Sequence, residues 1–179
     1  MGGAKATVLL RGRPLISYPL EALGAALGEV VVLAKAETEL PSLPGTTVWI
    51  ESDTMHHPAI GIAQALGLAG GRSVLVCAAD LPFVTPGLVR ELASGDPELA
   101  PAVVASAQGI MQPLLGCYQP RAAHHLRASD ERPLREQVAE LSPRIVEVDD
   151  PTELFNVNAP EDLLQAAAML DRSSIPTRK

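Results

Sequence analysis

The stretch Ser73–Phe83, SVLVCAADLPF, limits the possible folds more than any other part of this chain. Val74, Leu75, Val76 and Cys77 form an unbroken, uncharged run of strand formers. A run without polar alternation suits a strand covered on both faces, as in the parallel sheets of α/β proteins. An acid, Asp80, follows directly. Leu81-Pro82 disfavours helix at that point, and Thr85-Pro86 then offers a cap and a first-turn proline for a new helix. In open α/β sheets, ligands bind beyond the carboxyl ends of the strands. A carboxylate placed there is a hard-oxygen ligand for a cation such as Mg²⁺. By itself it suits equally a residue that only shapes the strand-to-helix turn.

Strand and helix patterns alternate along the rest of the sequence. The spacing predicts helices over 15–27, 58–68, 86–93, 120–128, 133–141 and from Pro160 to about Leu170. Strands are predicted over 29–34, 47–50, 102–105, 112–118 and 144–148, with a short one within 6–11. This order predicts one domain, residues 1–170, built as an α/β sandwich around a mainly parallel sheet. The 102–118 pair reads as an antiparallel excursion from it, and residues 171–179 as a polar, disordered tail. The chain has 179 residues and only 3% aromatics, so its core must be aliphatic.

A net charge of −7 lacks the basic footprint of a nucleic-acid or anionic-membrane surface. It leaves room for a nucleotide substrate, because a few local donors can hold phosphates. No apolar run reaches membrane-spanning length, and no charged-then-apolar leader precedes the first motif. Cys77 and Cys117 fall in predicted strands and read as buried hydrophobes of a reducing compartment. The cytoplasm is the expected location.

Met1-Gly2-Gly3-Ala4-Lys5 is glycine-rich and carries a lysine. Glycines let backbone N–H groups approach phosphate oxygens, and a lysine adds a point charge. Taken alone, such a segment reads more readily as a floppy start with a leftover lysine. No G-x-x-x-x-G-K-[ST] loop occurs. The pairs His56-His57 and His124-His125 lack zinc-site spacing. No Ser-His-Asp or Cys-His set stands in a convincing context.

Taken in order, MGGAK, RGRPLI, CAADLPF, QPLLGCY and FNVNAPEDL resemble the nucleotidyltransferase family of the molybdenum cofactor guanylyltransferase type, from Met1 to about Ala168. The resemblance implies a three-layer α/β/α sandwich with a Rossmann-like, mostly parallel sheet. It implies transfer of GMP from GTP to a phosphorylated acceptor, molybdopterin, with release of pyrophosphate and use of Mg²⁺. Lys5 and Asp80 are then the catalytic residues, Asp80 being the metal ligand. Gly2, Gly3, Lys5, His57, Pro58, Gly61 and Asp80 would meet the nucleotide. Asn158 and Arg135 would lie on the acceptor side, Asn158 serving as helix cap or site wall and Asn156 as structure. Where the family reads G-P-L-A-G, this chain keeps Pro58 and Gly61 but has His57 for the glycine and Ala59-Ile60 for the middle pair.

The family's opening reads approximately L-A-G-G-x-S-x-R-M-G-x-x-K after a first, central strand. Met1, Gly2 and Lys5 match its last part. The expectation is therefore a natural product starting about 15–20 residues upstream, enough for a strand and its loop. The expected partners are a nucleoside triphosphate and the acceptor, with no nucleic acid or membrane, in a monomer or small homo-oligomer. A cytidylyl- or sugar-phosphate nucleotidyltransferase is the nearest alternative. A non-catalytic, degenerate nucleotide-binding module is the alternative from another class.

Overall fold

The computed structural model describes residues 7–51, 57–96, 98–126 and 132–173. β1 (Leu9–Leu10) and β2 (Arg13–Pro14) form a small antiparallel hairpin, turned by Arg11 and Gly12 at positive φ. α1 (Ser17–Gly24), β3 (Val31–Ala34), β4 (Thr47–Ile50), α2 (Pro58–Leu68), β5 (Val74–Cys77) and α3 (Pro86–Ala93) follow. Then come β6 (Ala102–Ala107), β7 (Ile110–Tyr118), α4 (Ala123–Leu126), α5 (Leu134–Glu140), β8 (Arg144–Glu147) and α6 (Pro160–Ser173).

Local chemistry sets several of these boundaries. Thr85 Oγ1 accepts from the Leu88 amide and starts α3. Gly70 and Gly71, both at positive φ, turn the chain away after α2. At the last helix, Asp162 Oδ2 accepts from the amides of Asn158 and Ala159, which satisfies donors at its start. α6 runs to Ser173, so three residues assigned to a tail by composition are helical; 174–179 lie outside the described residues.

The four-stranded sheet is mixed but mostly parallel, as expected: β5, β6 and β8 run one way, and β7 alone runs against them. β3 pairs with β4 in parallel, and β6 with β8 in parallel. β7 runs antiparallel to both β5 and β6, giving the order β5-β7-β6-β8. The hairpin is therefore the middle of the sheet and not an excursion from it. Its cause is local: Gln108 and Gly109, both at positive φ, reverse the chain between β6 and β7. The β6–β7 register shifts between Val104 and Ala105, opposite the stretch that holds Pro113. Proline cannot donate to a ladder, and a bulge accommodates it. The Tyr118 hydroxyl donates to the Pro113 carbonyl at 2.6 Å, so the buried ring's polar end is satisfied.

Helices cover both faces of this sheet, as the layered α/β reading requires. Along β6, Val103 and Ala105 pack with Ala22 and Leu23 of α1 and Leu88, Val89 and Leu92 of α3. Ala102 and Val104 point the other way, onto Ile62 and Leu66 of α2, Leu126 of α4 and Val138 of α5. The alternation is the period-two geometry of a strand buried on both sides. Among the described residues, no helix is long and apolar enough to cross a membrane.

Candidate active site

β5 delivers its carboxyl end to a fixed point. The Ala78 amide donates to the Leu114 carbonyl of β7 at 2.8 Å, one residue beyond the strand. Two residues later, the Asp80 carbonyl accepts from the Val157 amide at 2.9 Å. Val157 is fully buried among Leu10, Leu15 and Ala166. The backbone at Asp80 is thus held from two sides, by β7 and by the segment before α6.

The side chain is held as well. Asn156 lies against Asp80, and its amide is oriented by its hydrogen-bond partners with the nitrogen towards the carboxylate. In that orientation it donates to Oδ1 at 2.6 Å and to Oδ2 at 3.0 Å. A carboxylate has about four acceptor sites, so this contact orients Asp80 without exhausting it. The sequence assigned Asn156 to structure and offered Asn158 as the site residue. It is Asn156 that touches Asp80, while Asn158 is exposed at the start of α6. Replacing Asn156 with alanine is expected to lower turnover roughly 10–100-fold and raise the divalent-ion concentration at half-maximal rate, as losing a ligand's orienting partner does. A rate titration with the ion checks it; an unchanged midpoint would show that Asn156 merely packs.

Cys77, the last residue of β5, is not a nucleophile. Burial, with the Asp80 charge adding to it, pushes its thiol up to about 12. The group is a neutral, apolar filler at ordinary pH.

His57 precedes α2 and caps it. Its Nδ1 accepts from the Ala59 amide at 3.2 Å, and its Nε2 lies 3.1 Å from the Arg132 carbonyl. With Nδ1 accepting, the proton sits on Nε2, which donates to that carbonyl. Both ring nitrogens are engaged within the protein, so His57 has a capping role beside the nucleotide contact expected of it. Pro58 fills the first turn of α2, where a missing N–H costs nothing. Gly61 is buried, and a Cβ there would stand 3.1 Å from Glu51 Oε1 and 3.5 Å from Leu33 Cδ2. The glycine allows α2 to close on those side chains. Glu51, not singled out in the sequence, directly follows β4, and its amide donates to the Ala34 carbonyl at 2.7 Å.

Lys35, Glu51, His57, Pro58 and Gly61 line the same cavity. It has a volume of about 880 Å³ and continues between β3 and β5 past Ala78 and Ala79, while Asp80 itself is not on its wall. Arg135, on α5, donates from Nε to the Met111 carbonyl at 3.2 Å. Because β7 runs antiparallel to β5, Met111 belongs to the end of β7 beside the carboxyl end of β5. Arg135 is therefore bonded at the same end of the sheet as the carboxyl end of β5. Gly2, Gly3 and Lys5 lie outside the described residues.

Among the described residues, no three His, Cys, Asp or Glu side chains gather into a self-sufficient metal cage. One oriented carboxylate beside an open edge fits a different arrangement. Mg²⁺ is commonly held by one or two carboxylates and completed by substrate phosphates and water.

Residues 1–145 match the family described as MobA-like NTP transferase domain. A Chloroflexus aggregans protein named "Probable molybdenum cofactor guanylyltransferase" is 30% identical over 178 residues, covering 92% of this chain and 85% of that protein. A Cereibacter sphaeroides molybdenum cofactor guanylyltransferase is 28% identical over 182 residues, covering 97% and 92%. In structure, molybdopterin-guanine dinucleotide biosynthesis protein A from Archaeoglobus fulgidus superposes with a TM-score of 0.77 at 23% identity, covering 94% and 91% of the two chains. The 2-C-methyl-D-erythritol 4-phosphate cytidylyltransferase from Thermus thermophilus superposes with a TM-score of 0.71 at 23% identity, covering 95% of each. At these identities the superpositions speak for the fold.

Proposed function

Because this chain belongs to the MobA-like NTP transferase domain family, and so is a nucleotidyltransferase, we propose that it transfers GMP from GTP to molybdopterin and releases pyrophosphate. The observation that carries the reading is Asp80, fixed at the carboxyl edge of β5 through its carbonyl by Val157 and through its carboxylate by Asn156. The relatives named as guanylyltransferases supply the nucleotide and the acceptor.

In this reaction a phosphate oxygen of the acceptor attacks the α-phosphorus of GTP in line. The bond from that phosphorus to the bridging oxygen breaks, and the electron pair leaves on pyrophosphate. A phosphomonoester is already anionic, so no strong general base is needed. The protein's task is positioning and charge stabilisation. Asp80 would hold Mg²⁺, which when bound offsets negative charge on the triphosphate. Lys5 and the backbone N–H groups of Gly2 and Gly3 would face the phosphates. Asn158 and Arg135 would border the acceptor. Glu51, beside Gly61 and Pro58, suits a base that presents adjacent N–H donors, as guanine does and cytosine does not. A reducing cytoplasm fits a chain whose two cysteines, Cys77 and Cys117, are unpaired thiols.

Pyrophosphate release is the direct test, with molybdopterin, Mg²⁺ and either GTP or CTP. Turnover with GTP is expected to exceed that with CTP at least about tenfold, the scale of discrimination that one pair of base contacts provides. A preference for CTP would move the chain to the cytidylyl reading. No turnover, together with no Mg²⁺-dependent GTP binding by calorimetry, would make it a non-catalytic module.

A further inference from the structure

The starts of α2 and α5 meet at one atom, the Arg132 carbonyl oxygen. From the α2 side, His57 reaches it. The ring's Nδ1 accepts from the Ala59 amide at 3.2 Å, so Nε2 carries the proton and donates to the Arg132 carbonyl at 3.1 Å. From the α5 side, Gln137 Nε2 donates to the same oxygen at 2.8 Å. A carbonyl oxygen has two lone pairs, and both are used here. One imidazole ring thus bridges two segments that lie 75 residues apart in the chain.

α5 has particular need of such an anchor. It has seven residues, short of the length at which a helix sustains itself in water. Pro133 stands at its N-cap position and gives no side-chain cap. The first turn is closed by the Pro133 carbonyl, which accepts from the Glu136 and Gln137 amides at 2.9 and 3.3 Å. Arg132, immediately before it, also bonds through its guanidinium to Glu140 at the far end of α5. These bonds settle how the segment is folded. The bond from His57 comes from outside the segment, so it settles where the segment sits. Val138 holds the middle of α5 in the core cluster of Ile62 and Leu66, and His57 fixes its leading end.

That leading end carries Arg135. Its Nε donates to the Met111 carbonyl of β7 at 3.2 Å. A guanidinium bonded at Nε can still give its two terminal nitrogens to a phosphate. We propose that His57 is a positioning residue: its ring sets the start of α5, and with it Arg135, at a fixed place relative to the start of α2, so that the phosphorylated acceptor is held in line with the nucleotide. The inference rests on the reading of Arg135 as an acceptor-side residue and of α2 as a border of the nucleotide. Its effect on rate is one of alignment, in which small displacements matter.

His57→Asn separates the two bonds of the ring. Asparagine is a good N-cap and can still accept from the Ala59 amide, but its side chain ends one bond short of Nε2 and does not reach the Arg132 carbonyl. The test varies GTP and molybdopterin separately in the pyrophosphate-release assay and follows amide hydrogen exchange in the same proteins. In His57→Asn, KM for molybdopterin is expected to rise roughly 3–10-fold, the size of one neutral hydrogen bond, while KM for GTP stays within about a factor of two. Exchange at Glu136 and Gln137 should quicken by a similar factor, with Ala59 unchanged. His57→Ala loses both bonds and should quicken exchange at Ala59 as well. An unchanged KM for molybdopterin overturns the proposal, and a rise confined to KM for GTP would make His57 a nucleotide contact instead. Unchanged exchange at Glu136 and Gln137 overturns it too. If the parent protein itself does not turn over, the guanylyl-transfer reading fails, and exchange at Glu136 and Gln137 still decides whether His57 sets the place of α5.

Discussion

Replacing Asp80 with asparagine is expected to slow nucleotidyl transfer by at least about a hundredfold while leaving the fold in place. The change is nearly isosteric, so the two kinds of contact at this position separate cleanly. The bond from the Val157 amide goes to the main-chain carbonyl and survives. The Asn156 amide can still donate to the one remaining side-chain oxygen, so the local packing is kept. What disappears is the negative charge, and with it one of the two carboxylate oxygens proposed to hold the cation. Losing one preorganised electrostatic partner of a transition state costs about 10²–10³ in rate. The measurement is pyrophosphate release at saturating GTP over a range of Mg²⁺, with thermal unfolding alongside. A rate within a factor of two of the parent, at any Mg²⁺ concentration, would remove Asp80 from the mechanism.

The place of Asp80 just beyond a strand was legible in the sequence because its signal is local. A buried strand, an acid and a capped helix follow one another within SVLVCAADLPFVTP. The same local punctuation placed α2 and α3 at their observed bounds, through Pro58 with Gly70-Gly71 and through Thr85-Pro86. Asn156 was not legible as Asp80's partner. Its side chain meets the carboxylate only because the segment before α6 returns to Asp80, where the Val157 amide bonds the Asp80 carbonyl, and no local pattern records that contact. The order of strands in the sheet was not readable for the same reason. Period-two alternation marks a strand, but it does not say which neighbour the strand takes. β7 was predicted as a strand, while its place between β5 and β6 depends on a long-range choice. His57 shows a third case, a capping role that was not read in the sequence. A histidine before Pro58 reads as a candidate ligand, yet it occupies an N-cap position, and the Ala59 amide takes its Nδ1.

The largest effect on stability is expected from Gly116→Val, and it reaches the site through the sheet. Gly116 stands in the middle of β7, opposite Val76 of β5 and Val104 of β6. A Cβ there would lie 2.8 Å from the Val103 carbonyl oxygen and 3.1 Å from Val104 Cγ2. The nearer atom is main chain in a paired strand, so it cannot rotate away as the end of a long side chain would. Relief requires β6 and β7 to part, which breaks ladder bonds in the layer where Val103 and Val104 are fully buried. Overpacking a core costs about 1–3 kcal/mol and sometimes more, against a typical total of about 5–15 kcal/mol. For a chain of this size the midpoint should fall by roughly 5–10 °C. Molecules that stay folded should also turn over more slowly, because β7 holds Ala78 and thereby the approach to Asp80. Gly87→Ala in α3 is the matched control: its Cβ would meet only Thr85 Oγ1, at an ordinary 3.5 Å. That substitution should leave the midpoint unchanged or slightly raised, since alanine is the better helix former by about 1 kcal/mol. Thermal or urea unfolding of the two variants decides the matter. Equal midpoints would mean that β6 and β7 sit farther apart at Gly116 than this register places them.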